Sequence, residues 1–151
     1  MIHKEWIIKP FKQEHADKII SYGMNDKLME LDASYKDHRI CLADKGNAYT
    51  LFIDNKPIVA GGIIVIWKGV AEGWVMANQN IYDVKLLACK EIKNRTDLLC
   101  EKNKIKRLQT SVKASFTTGV RFASWLGLKK EGLMKNYGPD GSDYLRMAKI
   151  Y

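Results

Sequence analysis

Cysteine, histidine and proline are each scarce, at three residues apiece among 151. Cys41, Cys89 and Cys100 are odd in number and lie far from any metal-ligand spacing, and His3, His15 and His38 are equally scattered. A zinc site is therefore not expected, and the thiols read as reduced and inert, since buried free cysteine behaves as a small hydrophobe. Long apolar runs are missing too. No window approaches the roughly 18 unbroken apolar residues of a membrane span, and the stretch from Met1 to Trp6 lacks the apolar core of a secretory signal. These absences point to a soluble, cytoplasmic protein. No internal repeat or low-complexity linker interrupts the chain, and 46% hydrophobic content suffices for a core, so one domain over residues 1–151 is expected.

Acidic residues are outnumbered, 17 against 25 Lys and Arg, for a net charge of +8. The field should attract anions in general. Lys102, Lys104, Lys106 and Arg107 form the densest basic cluster, but it falls at a helix-to-strand junction without interleaved aromatics. It reads as a solvated turn, and nucleic acid is not the expected partner.

Periodicity supplies the elements. Trp6 to Pro10 reads as a short strand stopped by proline, and Gln13 to Tyr22 carries Ala16, Ile19 and Ile20 at helical spacing, with Gly23 at the C-cap position. A second helix should hold Leu28, Met29 and Leu31, capped by Asn25 or Asp26. Ala48 to Ile53 is β-rich. The turn residues Asp54 to Pro57 lead into a fully buried strand from Ile58 to Ile66, and Lys68-Gly69 turns the chain into a third strand, Val70 to Ala77. Ile81 to Asn103 places Ile81, Val84, Ala88, Ile92 and Leu99 on one helical face. Lys106 to Lys113 alternates, with Leu108, Thr110 and Val112 on one side and Arg107, Gln109, Ser111 and Lys113 on the other. A helix capped by Ser115 or Thr117 ends at Gly127, and strands Gly132–Tyr137 and Ser142–Ile150 flank the turn Gly138 to Gly141. Trp67, Trp74 and Trp125 read as core or edge packing. Strands mixed with single crossover helices indicate a mixed α/β sheet with helices on both faces, in which Val70–Ala77 and Lys106–Lys113 run parallel because a helix joins them.

This order of elements resembles the GNAT superfamily of N-acyltransferases. Val112 followed by the helix Phe116 to Leu128 is similar to that family's strand-helix element ending in Lys-Leu-Gly-Phe. Tyr144-Leu145-Arg146-Met147 resembles its last strand, and Ile7-Ile8-Lys9-Pro10 its Ile-Arg-Pro start. Trp74-Val75, the Lys-rich third helix and Arg121-Phe122 running into Leu126-Gly127 look most like the divergent acetyltransferase-like proteins of tailed phages, a group named for a phage morphogenesis protein. The resemblance implies a mixed, mostly antiparallel twisted sheet whose parallel central pair splays apart at its C-terminal ends. It also implies acetyl-CoA as co-substrate and an amine as acceptor.

Two departures stand out. Family enzymes follow the central strand with a glycine-rich turn whose backbone N–H groups hold the coenzyme pyrophosphate. Here that place reads Ala77-Asn78-Gln79-Asn80-Ile81, no glycine occurs between Gly73 and Gly119, and Asp83 in the first turn would repel a diphosphate. Ala123 stands where many members carry a tyrosine acid, and Phe116 where an asparagine is common.

Carried onto this chain, the resemblance makes Glu72 the candidate general base, with a solvent-facing strand carboxylate as the plain alternative. Val75, Met76 and Ala77 would offer strand backbone to pantetheine, while their side chains read as core. Asn78, Gln79, Asn80 and Ile81, helped by Lys85, would cradle phosphate, and Ser115 is a helix cap first and a coenzyme contact second. Tyr35 and His38, with Asp32 and Asp37 beside them, lie in the expected acceptor loop, and Tyr137 adjoins the last hairpin. The function expected is transfer of an acetyl group from acetyl-CoA to an amine by direct attack. The alternative is an inactive scaffold of the same fold serving as a phage assembly or host-interaction factor, within the host cytoplasm if phage-encoded.

Overall fold

The computed structural model describes residues 4–21 and 46–151. Along them run β1 (Trp6–Pro10), α1 (Gln13–Ser21), β2 (Ala48–Ile53), β3 (Lys56–Trp67), β4 (Val70–Ala77), a 3-10 turn (Gln79–Val84), α2 (Lys85–Lys102), β5 (Arg107–Lys113), α3 (Thr117–Trp125), β6 (Lys129–Met134) and β7 (Tyr144–Ile150). The strands form one sheet in the order β1-β2-β3-β4-β5-β7-β6. β1 pairs with β2, β2 with β3, β5 with β7 and β6 with β7 antiparallel. β4 and β5 pair parallel, through Val70↔Arg107, Ala71↔Leu108 and Glu72↔Gln109. The expected mixed α/β sheet with a parallel central pair is therefore present. The second helix expected around Leu28, and the Gly23 cap, fall outside the described residues.

The chain divides into two compact units, one of residues up to Ile64 with Trp74–Leu99, the other of Val65–Gly73 with Cys100–Tyr151. In the first, Asp54 and Asn55 sit at φ 47° and 65°. Two consecutive positive φ values suit the tight hairpin that joins β2 to β3, and Asn tolerates them at little cost. Phe11, Ala16, Ile19, Ala48, Ala60 and Met76 form one buried cluster against which Ile64 and Trp74 pack. Leu51, Ile53, Ile58, Val59 and Ala88 form another, lined by Ile81, Val84, Leu87 and Ile92. The helical stripe read from the sequence is the face that does this work. α1 is tied down unusually: Lys12 precedes its first residue and its N–H donates to His15 Nδ1, 3.1 Å away. That is the reciprocal half of a capping box, with imidazole in place of the usual Glu or Gln. Thr50 Oγ1 lies 2.9 Å from the same nitrogen.

In the second unit β5 is zipped to β7 over seven pairs. Gly127, at φ 101°, closes α3, and Leu128 N returns to Ala123 O. The chain then enters a strand at once, so β6 begins at Lys129 rather than at Gly132, and Tyr137 lies in the loop before β7. That loop is held by Asp140, whose carboxyl is pulled down to about 2 by the Ser142 hydroxyl, the Ser142 N–H and the Lys113 ammonium.

Other expectations are corrected. β3 is buried only from Pro57 to Ala60 and at Ile63, and its end is exposed, Trp67 by 65%. Trp125 is 51% exposed as well. The long helix is preceded by a 3-10 turn, Gln79–Val84, which Asn78 caps. α3 is capped neither by Ser115 nor by Thr117: its N-cap is Phe116, without a side-chain bond. Cys100 is buried and Cys89 half-buried, neither of them in a disulfide, and burial pushes the Cys89 thiol up.

Two predictions follow from the first unit. A Cβ on Gly62 would collide with Asn47 O and come within 2.6 Å of Ala48 Cα. Backbone cannot yield as a side chain does, so Gly62→Ala should lower stability by about 1–3 kcal/mol in denaturant unfolding. His15 is 6% exposed, and burial, the largest influence, lowers its pKa from 6.5, with Lys12, Lys18 and Lys9 adding to the effect and Glu14 opposing it. A lowered folded value means that the unfolded chain takes the proton first. The contribution is therefore complete above about pH 6.5 and is lost as pH falls from there toward the folded value. Wild type should lose thermal midpoint on going from pH 7.5 to 5.5, and His15→Gln, which can still accept from Lys12, should lose less. Equal losses in the two proteins would remove His15 from the account.

Candidate functional site

Alternation along β5 sends Arg107, Gln109 and Ser111 to one face, and the ladders bring Glu72 opposite Gln109 and Arg146 opposite Ser111. Out of this register grows a continuous polar chain in the second unit. Arg107 Nη1 and Nη2 each donate to Glu131 at 2.7 Å, and Arg107 Nε donates to Gln109 Oε1 at 2.9 Å. Gln109 Nε2 then donates to Glu72 Oε2 at 3.0 Å, and Arg146 Nη1 reaches Glu72 Oε1 and Oε2 at 3.2 and 3.1 Å. The amide of Gln109 is fixed in orientation by these partners, oxygen toward a guanidinium and nitrogen toward a carboxylate. Glu72 is thus held from two sides while its side chain stays 31% exposed. Glu131 is kept well ionised by its hydrogen bonds from Arg107, which in turn holds its own proton more tightly for the same reason. The parallel ladder ends at Glu72, and the next β4 carbonyl, Gly73 O, accepts from Thr110 Oγ1 at 3.0 Å.

The remaining expected residues of β4 and the turn after it lie in the first unit. Met76 is buried, Ala77 half-buried, and Val75 is 42% exposed rather than core. Val75 lines an open apolar groove with Gly61, Ile92 and Tyr49, over whose ring the Arg95 guanidinium sits at 4.8 Å. Asn78 is 2% exposed, with every polar group engaged. Its N–H donates to Ile58 O, its Nδ2 to Pro57 O at 3.1 Å, and its Oδ1 accepts from Asn80 N at 3.0 Å. Ile81 N donates to Asn78 O. The side chain of Asn78 therefore ties β4 to β3 and caps the 3-10 turn. Gln79, Asn80 and Lys85 are exposed. Asp83, whose charge would oppose phosphate, is paired with Lys4 at 3.6 Å.

Ser115 and Tyr137 belong to the second unit and are exposed, Tyr137 tilted against Tyr144 with ring centroids 5.3 Å apart. Ala123 is 5% exposed, and its methyl group supplies no acid. Tyr35 and His38 lie outside the described residues. Among the described residues no group of three or more His, Cys, Asp or Glu could hold a metal, and no helix is long and apolar enough to cross a membrane. Sequence reasoning missed Gln109, Ser111 and Arg146 as site residues. The signal was present for the first two, in the polar face of β5.

No family model matches this sequence, and no curated protein matches it. Solved structures do. An acetyltransferase of the GNAT family from Bacillus anthracis superposes with a TM-score of 0.72 at 14% identity, over 99% of this chain and 97% of that one. A ribosomal-protein alanine N-acetyltransferase from Escherichia coli gives 0.72 at 17% identity, over 97% and 94%. A spermidine N-acetyltransferase chimera from Vibrio cholerae and human sequences gives 0.73 at 14%, over 96% and 95%. Likeness at such identity, along nearly the full length of both chains, speaks to architecture, and this chain is built on the GNAT acetyltransferase fold.

Proposed function

We propose that the protein is an N-acetyltransferase that moves the acetyl group of acetyl-CoA to an amine. The observation that carries this reading is Glu72. It is a partly exposed carboxylate at the last paired residue of the parallel ladder, aimed by Gln109 and Arg146, in a fold whose solved neighbours bear acetyltransferase names. Direct attack requires little else. Glu72 takes the proton of the amine, directly or through one water, the nitrogen bonds to the thioester carbon, the C–S bond breaks, and the thiolate leaves. A backbone N–H of the central strand stabilises the oxyanion that develops meanwhile. A thiolate is already stable near pH 8, so a buried Ala123 in place of a tyrosine costs less than loss of the base would.

For the coenzyme phosphates, the exposed residues to draw on at the start of the long helix are Gln79 and Lys85. Asn80 N–H joins them only by releasing Asn78 Oδ1, and Ile81 N–H by releasing Asn78 O. Pairing with Lys4 offsets Asp83. Ser115 is a further exposed hydroxyl for the coenzyme, and Tyr35, His38 and Tyr137 are candidates for the acceptor side.

Calorimetric titration with acetyl-CoA and release of free thiol in the presence of amines test this reading. Glu72→Gln keeps shape and removes basicity, so kcat should fall by about 10²-fold or more while coenzyme affinity stays within about twofold. Undiminished turnover in Glu72→Gln across the pH range would make the carboxylate a bystander. Asn80→Asp should weaken coenzyme binding by about tenfold through charge repulsion at the helix start. If its affinity matches wild type, the phosphates bind elsewhere.

A further inference from the structure

The two arginines of the polar chain differ in one respect. Arg107 engages all three of its side-chain nitrogens, Nε on Gln109 and both Nη atoms on Glu131. Arg146 spends only Nη1, shared between the two oxygens of Glu72. Its Nη2 and Nε have no partner among the described residues, although its side chain is only 25% exposed. Directly opposite in the ladder, and on the same face, stands Ser111. Its hydroxyl is buried and has no hydrogen-bond partner among the described residues. A half-buried arginine whose Nη2 and Nε are still available, facing a buried hydroxyl without a partner, concentrates open hydrogen-bonding capacity in one place. Every atom in it can donate, so the missing group is an acceptor, and a planar carboxylate matches a free guanidinium edge best.

Charge narrows the class further. Glu72 and Glu131 balance Arg146 and Arg107, so the cluster is neutral overall and offers little to a bare anion. A molecule carrying an amine next to a carboxylate meets opposite charge at both ends, its nitrogen toward Glu72 and its carboxylate toward Arg146. A polyamine would instead press a second positive charge against the guanidinium. Resting on the acetyltransferase reading, we infer that the acceptor is an amino acid or a compound bearing a free carboxylate beside its amine, and that Arg146, with Ser111, selects it.

The test compares three acceptors at saturating acetyl-CoA: an equimolar mixture of the twenty free amino acids, the matching mixture of their α-amides, and spermidine. Wild-type kcat/KM should be about tenfold or more higher for the free acids than for either of the others, chiefly through KM. Arg146→Lys keeps a positive charge beside Glu72 but lacks the second edge, and Ser111→Ala removes the hydroxyl while leaving the Glu72–Arg146 pair in place. Both should shrink that ratio, with acetyl-CoA affinity by calorimetry unchanged. Equal rates for acids and amides, or a preference for spermidine, would overturn the inference while leaving the transferase reading standing. Should no amine be acetylated, the transferase reading fails, and the ¹⁵N resonance of the Arg146 side chain decides the subsite: a shift on adding the amino acids keeps it, and none removes it.

Discussion

The parallel pairing of β4 with β5 is the constraint on which the rest hangs. Parallel neighbours cannot be joined by a tight turn, so the chain must leave the sheet after Ala77, cross by α2 and return at Arg107. Only three residue pairs hold the two strands together, against seven between β5 and β7. Where the backbone ladder is that short, side chains take over. Gln109 Nε2 on Glu72 and Thr110 Oγ1 on Gly73 O bridge the same two strands, and Arg146 reaches Glu72 from β7. The residue proposed as the base is thus also a joint of the sheet.

That double duty shapes what Glu72 can be. An ion pair alone at this degree of exposure contributes little to stability, and a carboxylate held only by an arginine would be a common structural feature. Here the partners are graded: the Gln109 amide is locked from behind by Arg107, which is locked in turn by both oxygens of Glu131. A chain of fixed donors positions one carboxylate more narrowly than any single pair would. Positioning of this kind matters most to a group that must meet a reacting atom, since small errors of placement are costly in rate.

Much of the architecture was legible because it is local. The boundaries of β4, the helical stripe of Ala88, Ile92 and Leu99, the Gly127 stop and the parallel pairing all follow from periodicity and turn chemistry. The errors share a cause as well. The turn signal of Gly138 to Gly141 points to a strand from Gly132, whereas the observed loop is longer: Asp140 and Asp143 hold it through the Ser142 and Asn136 N–H groups and, from 27 residues away, the Lys113 ammonium. Arg146 and Glu72 are 74 residues apart, and only the register of two ladders brings them together. Burial misled in the same way. Val75 is apolar enough for a core, and Trp67 and Trp125 for a core or an edge, yet hydrophobicity does not say which face a neighbour covers.

The turn after β4 shows how a sequence can depart from a family's pattern without losing the local structure. A glycine-rich turn leaves backbone N–H groups bare for a phosphate, whereas Asn78 fills part of that role with its own atoms. Its Oδ1 occupies the Asn80 N–H and its carbonyl the Ile81 N–H, while its Nδ2 anchors the turn to Pro57 O. The helix start is therefore satisfied without a ligand, which glycine cannot accomplish. A diphosphate arriving there exchanges one acceptor for another instead of meeting open donors, so its binding gains less from hydrogen bonds and must lean more on charge. The exposed Lys85 and the pairing of Asp83 with Lys4 are the features of this turn that act in that direction. Coenzyme binding at this turn would accordingly be more sensitive to ionic strength than binding to a glycine-rich loop.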